Sequence, residues 1–182
     1  MKIKHVCYPV RVLGPGERVG IWVTGCSFGC PGCMTPELQN PSAGSEMSPA
    51  HIVQVIRQMA GRVDGITISG GEPFDQVQGL HELVELLHGQ VTDDIIIYSG
   101  YTLHQLRQRG CMDTDAVLDI IAVLVDGRYV EEKDDGVGLR GSSNQCIHIF
   151  RQTERYSYMI DCKRQLQVFN YKDSSSLMVG LL

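Results

Sequence analysis

The chain has 182 residues and a formal charge of −5, from 16 basic and 21 acidic side chains. That length fits one domain with a sizeable core, and the 43% hydrophobic and 20% charged residues are ordinary for a globular protein. No block of Lys and Arg, no apolar run of membrane-spanning length and no charged-then-apolar leader stands out, which argues against nucleic-acid and membrane partners and for a cytoplasmic location.

Residues 2–12 read as an irregular strand and Gly14-Pro15-Gly16 as a tight turn. Residues 19–24 read as a buried strand that Gly25 ends, and residues 34–47 as loop. Ser48-Pro49 starts a helix, with Ser as N-cap and Pro at its first position. Ile52, Val53, Ile56 and Met59 give that helix an apolar stripe, and Gly61 stops it. Residues 65–69 form a short strand followed by a Gly70-Gly71-Glu72-Pro73 turn. Leu80, Leu83, Val84, Leu86 and Leu87 mark the next helix, which Gly89 ends. A strand at 95–98, a Ser99-Gly100-Tyr101 turn and a short helix at 103–109 follow. Residues 120–125 read as another strand, ending at Asp126-Gly127, and residues 128–145 as a loop or lid. Three alternating stretches suggest further strands: Ile147/Ile149, Tyr156/Tyr158/Ile160 and Leu166/Val168/Phe169.

The alternation of strand and helix predicts an α/β fold with a parallel sheet. A single domain over 1–182 is expected, with a core at 1–150 and a C-terminal strand extension at 151–182. Each unusual turn follows the C-terminal end of a strand. In parallel α/β folds those loops open on one side, where ligands bind. The four motifs are therefore expected to converge.

Seven cysteines stand at 7, 26, 30, 33, 111, 146 and 162. Three within eight residues suggest metal ligation rather than a disulfide framework. Cys26-x-x-x-Cys30-x-x-Cys33 supplies three thiolates, which leaves one iron of a four-iron cluster open to a substrate. Structural zinc is the alternative; it needs a fourth ligand, for which Cys7, His5 or Cys111 are the candidates. Gly70 and Gly71 allow a close backbone approach to a ligand, and Glu72 offers an acceptor for a ligand amine. Ser99 and Asp126 qualify by position, although an Asp after a strand is as often a helix cap. The Arg140–Gln145 run reads by itself as a surface loop. Of six histidines only His148 leaves a functional role open.

The cysteine spacing followed by Gly-Gly-Glu-Pro resembles the radical SAM superfamily, whose members cleave S-adenosylmethionine (SAM). More narrowly the chain is similar to the activating proteins of anaerobic ribonucleotide reductase and other glycyl-radical activases. The matching pieces include Gly14-Pro15-Gly16-Glu17-Arg18, Cys30-Pro31-Gly32-Cys33, Ser69–Phe74, Tyr98–Thr102, Leu124–Tyr129 and Arg140–Gln145. No motif is evident after about residue 150.

The resemblance implies a partial, open (β/α) barrel of five to six strand–helix units with extra C-terminal strands. It implies that Cys26, Cys30 and Cys33 ligate a [4Fe-4S] cluster and that SAM binds the open iron. Gly70, Gly71 and Glu72 would hold the methionine amine, with Pro73 completing the motif. Ser99 and Asp126 would line the pocket, with Asn144 near it. A flavodoxin or ferredoxin would supply the electron, and a glycyl-radical enzyme would be the protein substrate. Gly32 before the third cysteine agrees with the reductase activators, whereas Met34-Thr35 replaces their usual Tyr-Asn. A full eight-unit barrel needs about 250 residues, so this chain leaves one side open, which suits a macromolecular substrate. Modification of a peptide or of a small-molecule or cofactor precursor is the alternative.

Overall fold

The computed structural model describes residues 1–59, 61–171 and 174–181. Its main body is a seven-stranded sheet in the order β3-β1-β2-β4-β5-β6-β7. The strands are β1 (Lys2–Val10), β2 (Arg18–Val23), β3 (Ser45–Glu46), β4 (Gly65–Gly70), β5 (Ile95–Ser99), β6 (Val123–Asp126) and β7 (Cys146–Ile149). Strands β2, β4, β5 and β6 run parallel, while β1, β3 and β7 are antiparallel to their neighbours. Helices α1 (Pro49–Met59), α2 (Val77–Gln90), α3 (Leu103–Gln108) and α4 (Met112–Ile120) make the crossovers.

Alternate residues of a strand point to opposite faces, and the two faces have different covers. Ile21, Ile68, Ile97 and Leu124 face the helices, where Ile52 and Ile56 of α1, Leu80 and Leu87 of α2, and Val117 of α4 meet them. Trp22, Ile96, Val123 and Val125 face the other way. That second face is covered by Leu13, Leu38 and Leu139 and by chain after residue 150: α5 (Thr153–Tyr156), a 3-10 turn (Ser157–Ile160), and a separate ribbon of β8 (Leu166–Asn170) and β9 (Ser176–Gly180). Tyr156, Met159, Val179 and Leu181 are its buried contacts.

Several expectations need correction. Among the described residues four parallel strands are found rather than five or six strand–helix units, in a sheet that stays open. The link from β6 holds only a three-residue 3-10 helix (Glu131–Lys133), so the chain turns back and β7 pairs antiparallel. Tyr156–Ile160 is helical rather than a strand: the buried pair, Tyr156 and Met159, is three residues apart. Helix α4 falls where no element was expected, and its last residue, Ile120, within the expected strand; it buries only Thr114, Val117 and Leu118 and so lacks a strong stripe. Helix α2 runs through Gly89 to Gln90.

At the N-terminal end of the parallel strands lies a buried charge. The side chain of Arg18 is fully inaccessible and pairs with Asp94 at 2.8 Å. Its other nitrogens donate to the Thr67 hydroxyl at 2.7 Å and to the Ile66 carbonyl at 2.6 Å. Arg155 reaches the second Asp94 oxygen at 2.8 Å. Asp94→Ala leaves a buried guanidinium without its counter-charge, which costs about 3–5 kcal/mol. Urea denaturation should show that loss, whereas Glu82→Ala on the exposed side of α2 should change stability by no more than about 0.5 kcal/mol.

Candidate metal and cofactor site

Strand β2 leads straight into the cysteine loop. The amides of Gly25 and Cys26 donate to the carbonyls of Leu38 and Gln39 at 2.8 and 3.1 Å. Gly32 has φ +67°, and a Cβ there would lie 2.6 Å from the Glu131 carboxylate, so this turn requires glycine. Segments from other strand ends grip the loop. Asp75 accepts from the Ser27 amide at 2.8 Å and from the Tyr101 hydroxyl at 2.9 Å. Phe28 packs edge-on against Tyr101 at 4.5 Å, and Arg128 donates to the Phe28 carbonyl at 3.0 Å.

Cys26, Cys30 and Cys33 are free thiols, each partly exposed. They are not among the Cys/His/Asp/Glu trios whose ligand atoms lie within 4.8 Å of one another. One zinc with 2.3 Å bonds would hold sulfurs about 3.8 Å apart, and the three thiols do not stand together at that spacing. Burial pushes the Cys26 thiol up, opposed by the amides of Phe28 and Gly29 directed at its sulfur. Hydrogen bonds of that kind also tune cluster sulfurs.

The Gly-Gly-Glu-Pro segment runs beside this loop. The Gly71 and Glu72 amides donate to the carbonyls of Val23 and Gly25, both at 2.8 Å. A Cβ on Gly71 would lie 2.2 Å from the Gly25 carbonyl oxygen. The close approach the glycines permit is thus first to the cysteine loop itself. Pro73 opens a 3-10 turn (Pro73–Gln76) whose first two residues are buried. Glu72 is 1% exposed; its carboxylate accepts from the Phe74 amide at 2.9 Å, the Ser99 hydroxyl at 2.9 Å and the Gly100 amide at 2.6 Å. Desolvation outweighs these donors and pushes its carboxyl up to about 7.

These loops surround an open cavity of about 740 Å³, solvent at its mouth included. Cys26, Cys30, Cys33, Gly70, Gly71, Glu72 and Ser99 line it. The candidate fourth zinc ligands Cys7, His5 and Cys111 do not. Three thiols with no fourth cysteine or histidine in the lining fit a [4Fe-4S] cluster with an open iron better than zinc. Pro73, Asp126 and Asn144 lie outside the lining. Asp126 accepts from the Leu103 amide at the start of α3 and sits 2.8 Å from His148. Asn144 is exposed and donates to the Arg128 carbonyl at 2.9 Å. Sequence reasoning did not single out Tyr98, Arg128, Tyr129 or Gln145, which also line the cavity. Their signal was present, since all four fall within the matching motifs. Leu181, another lining residue, carries no sequence signal.

A folded-state value of about 7 for Glu72 lies above the ordinary 4.5. Between those values the native protein holds the extra proton, so the Glu72 contribution to stability falls as pH rises through that window. The difference amounts to about 3 kcal/mol. Glu72→Gln should flatten this part of the stability–pH curve of the metal-free protein, measured by urea denaturation between pH 4.5 and 7.5, even though the amide itself lowers stability at every pH by setting a donor against Gly100.

Comparison with known proteins agrees with this arrangement. The 4Fe-4S single cluster domain family matches residues 12–148. The chain is 34% identical over 155 residues to the anaerobic ribonucleoside-triphosphate reductase-activating protein of Escherichia coli (strain K12), covering 81% of this chain and 98% of that protein. The protein of that name from Vibrio cholerae serotype O1 is 33% identical over 154 residues, covering 80% and 97%. The one from Enterobacteria phage T4 is 27% identical over 138 residues, covering 74% and 85%. Three thiols on a strand-end loop, a cluster-domain match and near-complete coverage of these relatives agree: the chain belongs to the family of anaerobic ribonucleoside-triphosphate reductase-activating proteins, within the 4Fe-4S single cluster domains.

Proposed function

We propose that this chain is a radical SAM activase that generates a glycyl radical on anaerobic ribonucleotide reductase, with Cys26, Cys30 and Cys33 as the cluster ligands. The observation that carries this reading is the convergence of the three thiols with Glu72 and Ser99 on one open cavity. The parallel strands β2, β4, β5 and β6 serve as the strand portion of a partial, open barrel, and residues 151–182 as an extension of that single domain. With SAM bound, the cluster supplies one-electron reductive cleavage of a carbon–sulfur bond and, from it, a carbon radical able to take hydrogen from a glycine Cα.

The residues of the chain bind and orient. Gly70, Gly71 and the ionised Glu72 accept and align the ammonium of the methionine part. A cation there favours the charged carboxylate and offsets its burial. Ser99, whose hydroxyl donates to Glu72, holds that carboxylate in place. Gly100 contributes a second donor to it. Thr35 and Met34 stand beside the cysteine loop in the same lining, where the reductase activators usually carry Tyr-Asn. The Thr35 hydroxyl lies 3.5 Å from the Gly70 carbonyl. Asp126 and Asn144 act one step back, by holding the β6–β7 wall.

The open mouth suits a loop of a large partner. A flavodoxin or ferredoxin is the proposed electron donor. No helix among the described residues is long and apolar enough to cross a membrane. We assign the protein to the cytoplasm, working without nucleic acid or membrane.

After anaerobic reconstitution the chain should carry about four irons and four sulfides. Incubated with SAM, a reductant and the reductase, it should yield 5′-deoxyadenosine and a glycyl-radical EPR doublet on the reductase. Cys30→Ala should abolish both products while circular dichroism shows the fold intact. One tightly held zinc and no sulfide would sink the cluster assignment. SAM cleavage that never produces a radical on the reductase would favour the peptide or small-molecule reading.

A further inference from the structure

Behind the wall of the cavity, on the helix-covered face of the sheet, three potential metal ligands meet. The β6–β7 ladder places Asp126 opposite Cys146, and His148 opposite Leu124. Residues two apart on a strand share a face, so Asp126, Cys146 and His148 project together, on the side where Leu124 packs against the helices. A carboxylate oxygen, the thiol sulfur and an imidazole nitrogen lie within 4.8 Å of one another, which makes this the one such trio among the described residues.

The surroundings already hold these groups in place. The Leu103 amide donates to one Asp126 oxygen and the Cys146 amide to the other, the latter at 3.3 Å. The His148 ring lies nearly parallel to that of Phe150, 8° apart in plane at 6.4 Å. Asp126 is buried and Cys146 is exposed, so the trio has a closed side and a solvent side.

We propose that Asp126, Cys146 and His148 form a second metal site, for a borderline divalent ion such as zinc, distinct from the site of Cys26, Cys30 and Cys33. Oxygen, nitrogen and sulfur donors together match zinc or cobalt and disfavour magnesium and calcium, which take oxygen. Bonds of 2.0–2.3 Å set tetrahedral edges of about 3.3–3.8 Å. Side-chain adjustments of about an ångström therefore bring the trio to that geometry. The ion takes the place of the 2.8 Å Asp126–His148 contact. The Cys146 thiol releases its proton to solvent. The imidazole proton moves to Nδ1, leaving Nε2 to ligate. One aspartate and one thiolate then balance a divalent charge, and water from the solvent side fills the fourth position. The amides bonded to Asp126 are the kind of hydrogen-bonding support a ligating carboxylate needs.

The consequence is structural and reaches the cavity. Gly127 and Gln145, the neighbours of Asp126 and Cys146, line it. An ion at the trio ties edge strand β7 to β6 and to the start of α3, and so steadies that wall.

The test uses the full chain with Cys26, Cys30 and Cys33 replaced by Ala, so that no cluster thiol competes, and with its fold checked by circular dichroism. Titrated with Co²⁺, it should bind one ion per chain, with thiolate-to-cobalt charge-transfer absorption in the near ultraviolet and tetrahedral bands in the visible. Cys146→Ser should remove the charge-transfer band, and His148→Ala should weaken binding by at least about tenfold. Zn²⁺ should displace the cobalt and raise the thermal midpoint. Absence of the band, or a band unchanged by both substitutions, overturns the proposal. If the triple variant does not fold, zinc content decides: cluster-loaded protein should hold one zinc that Cys146→Ser lacks, and equal zinc in the two overturns it. None of these outcomes depends on the activase reading.

Discussion

The buried ion pair between Arg18 and Asp94 sets the frame for the whole molecule. A guanidinium has five N–H donors and no acceptor, and in a core each donor must be met. Arg18 meets them across three strands: Thr67 and Ile66 of β4, and Asp94 just before β5. A slip of β2 against β4 or β5 would strand a charge inside the protein, as well as reversing the faces of an entire strand. The pair therefore specifies the register of β2 against β4, and that register lines up their opposite ends, with Val23 beside Gly70.

At that opposite end two buried carboxylates do the complementary work. Glu72 collects donors from its own turn and from the turn after β5, and its amide bonds to the cysteine loop. Asp126 joins β6, the start of α3 and β7. One carboxylate faces the cavity and the other lies behind it. The difference follows from what each carboxylate touches: Glu72 borders open space that a cationic ligand can fill, whereas Asp126 is enclosed by an amide, a histidine and a cysteine. Two acids at equivalent strand ends thereby take different chemistry.

The second face of the sheet shows how the remainder of the chain is used. Helices α1, α2 and α4 pack against one face. Residues beyond 150 cover the other with Tyr156, Met159, Val179 and Leu181, and Leu181 reaches the cavity lining. The family match stops at residue 148, and the bacterial relatives align with about four-fifths of this chain while nearly all of their own length is covered.

The sequence by itself determined the alternation of apolar strands and amphipathic helices, the clustering of three cysteines at ligand-like spacing, and the placement of motifs at strand ends. Those features are local: periodicity, glycine turns and ligand spacing depend on residues within a few positions of one another. What only tertiary structure decided depends on partners distant in the chain. Gly71 looked like room for a ligand, and its nearest demand is the Gly25 carbonyl. Asp126 looked equivalent to Ser99, yet its neighbours Leu103, Cys146 and His148 lie 20 or more residues away and turn it from the cavity. Tyr156–Ile160 alternates like a strand, and becomes helical because burying Tyr156 and Met159 together against the sheet requires a three-residue spacing. The antiparallel return of β7 was hidden for a similar reason. A strand's direction is set by whether a helix carries the chain back, and the loop before it has no such helix to offer.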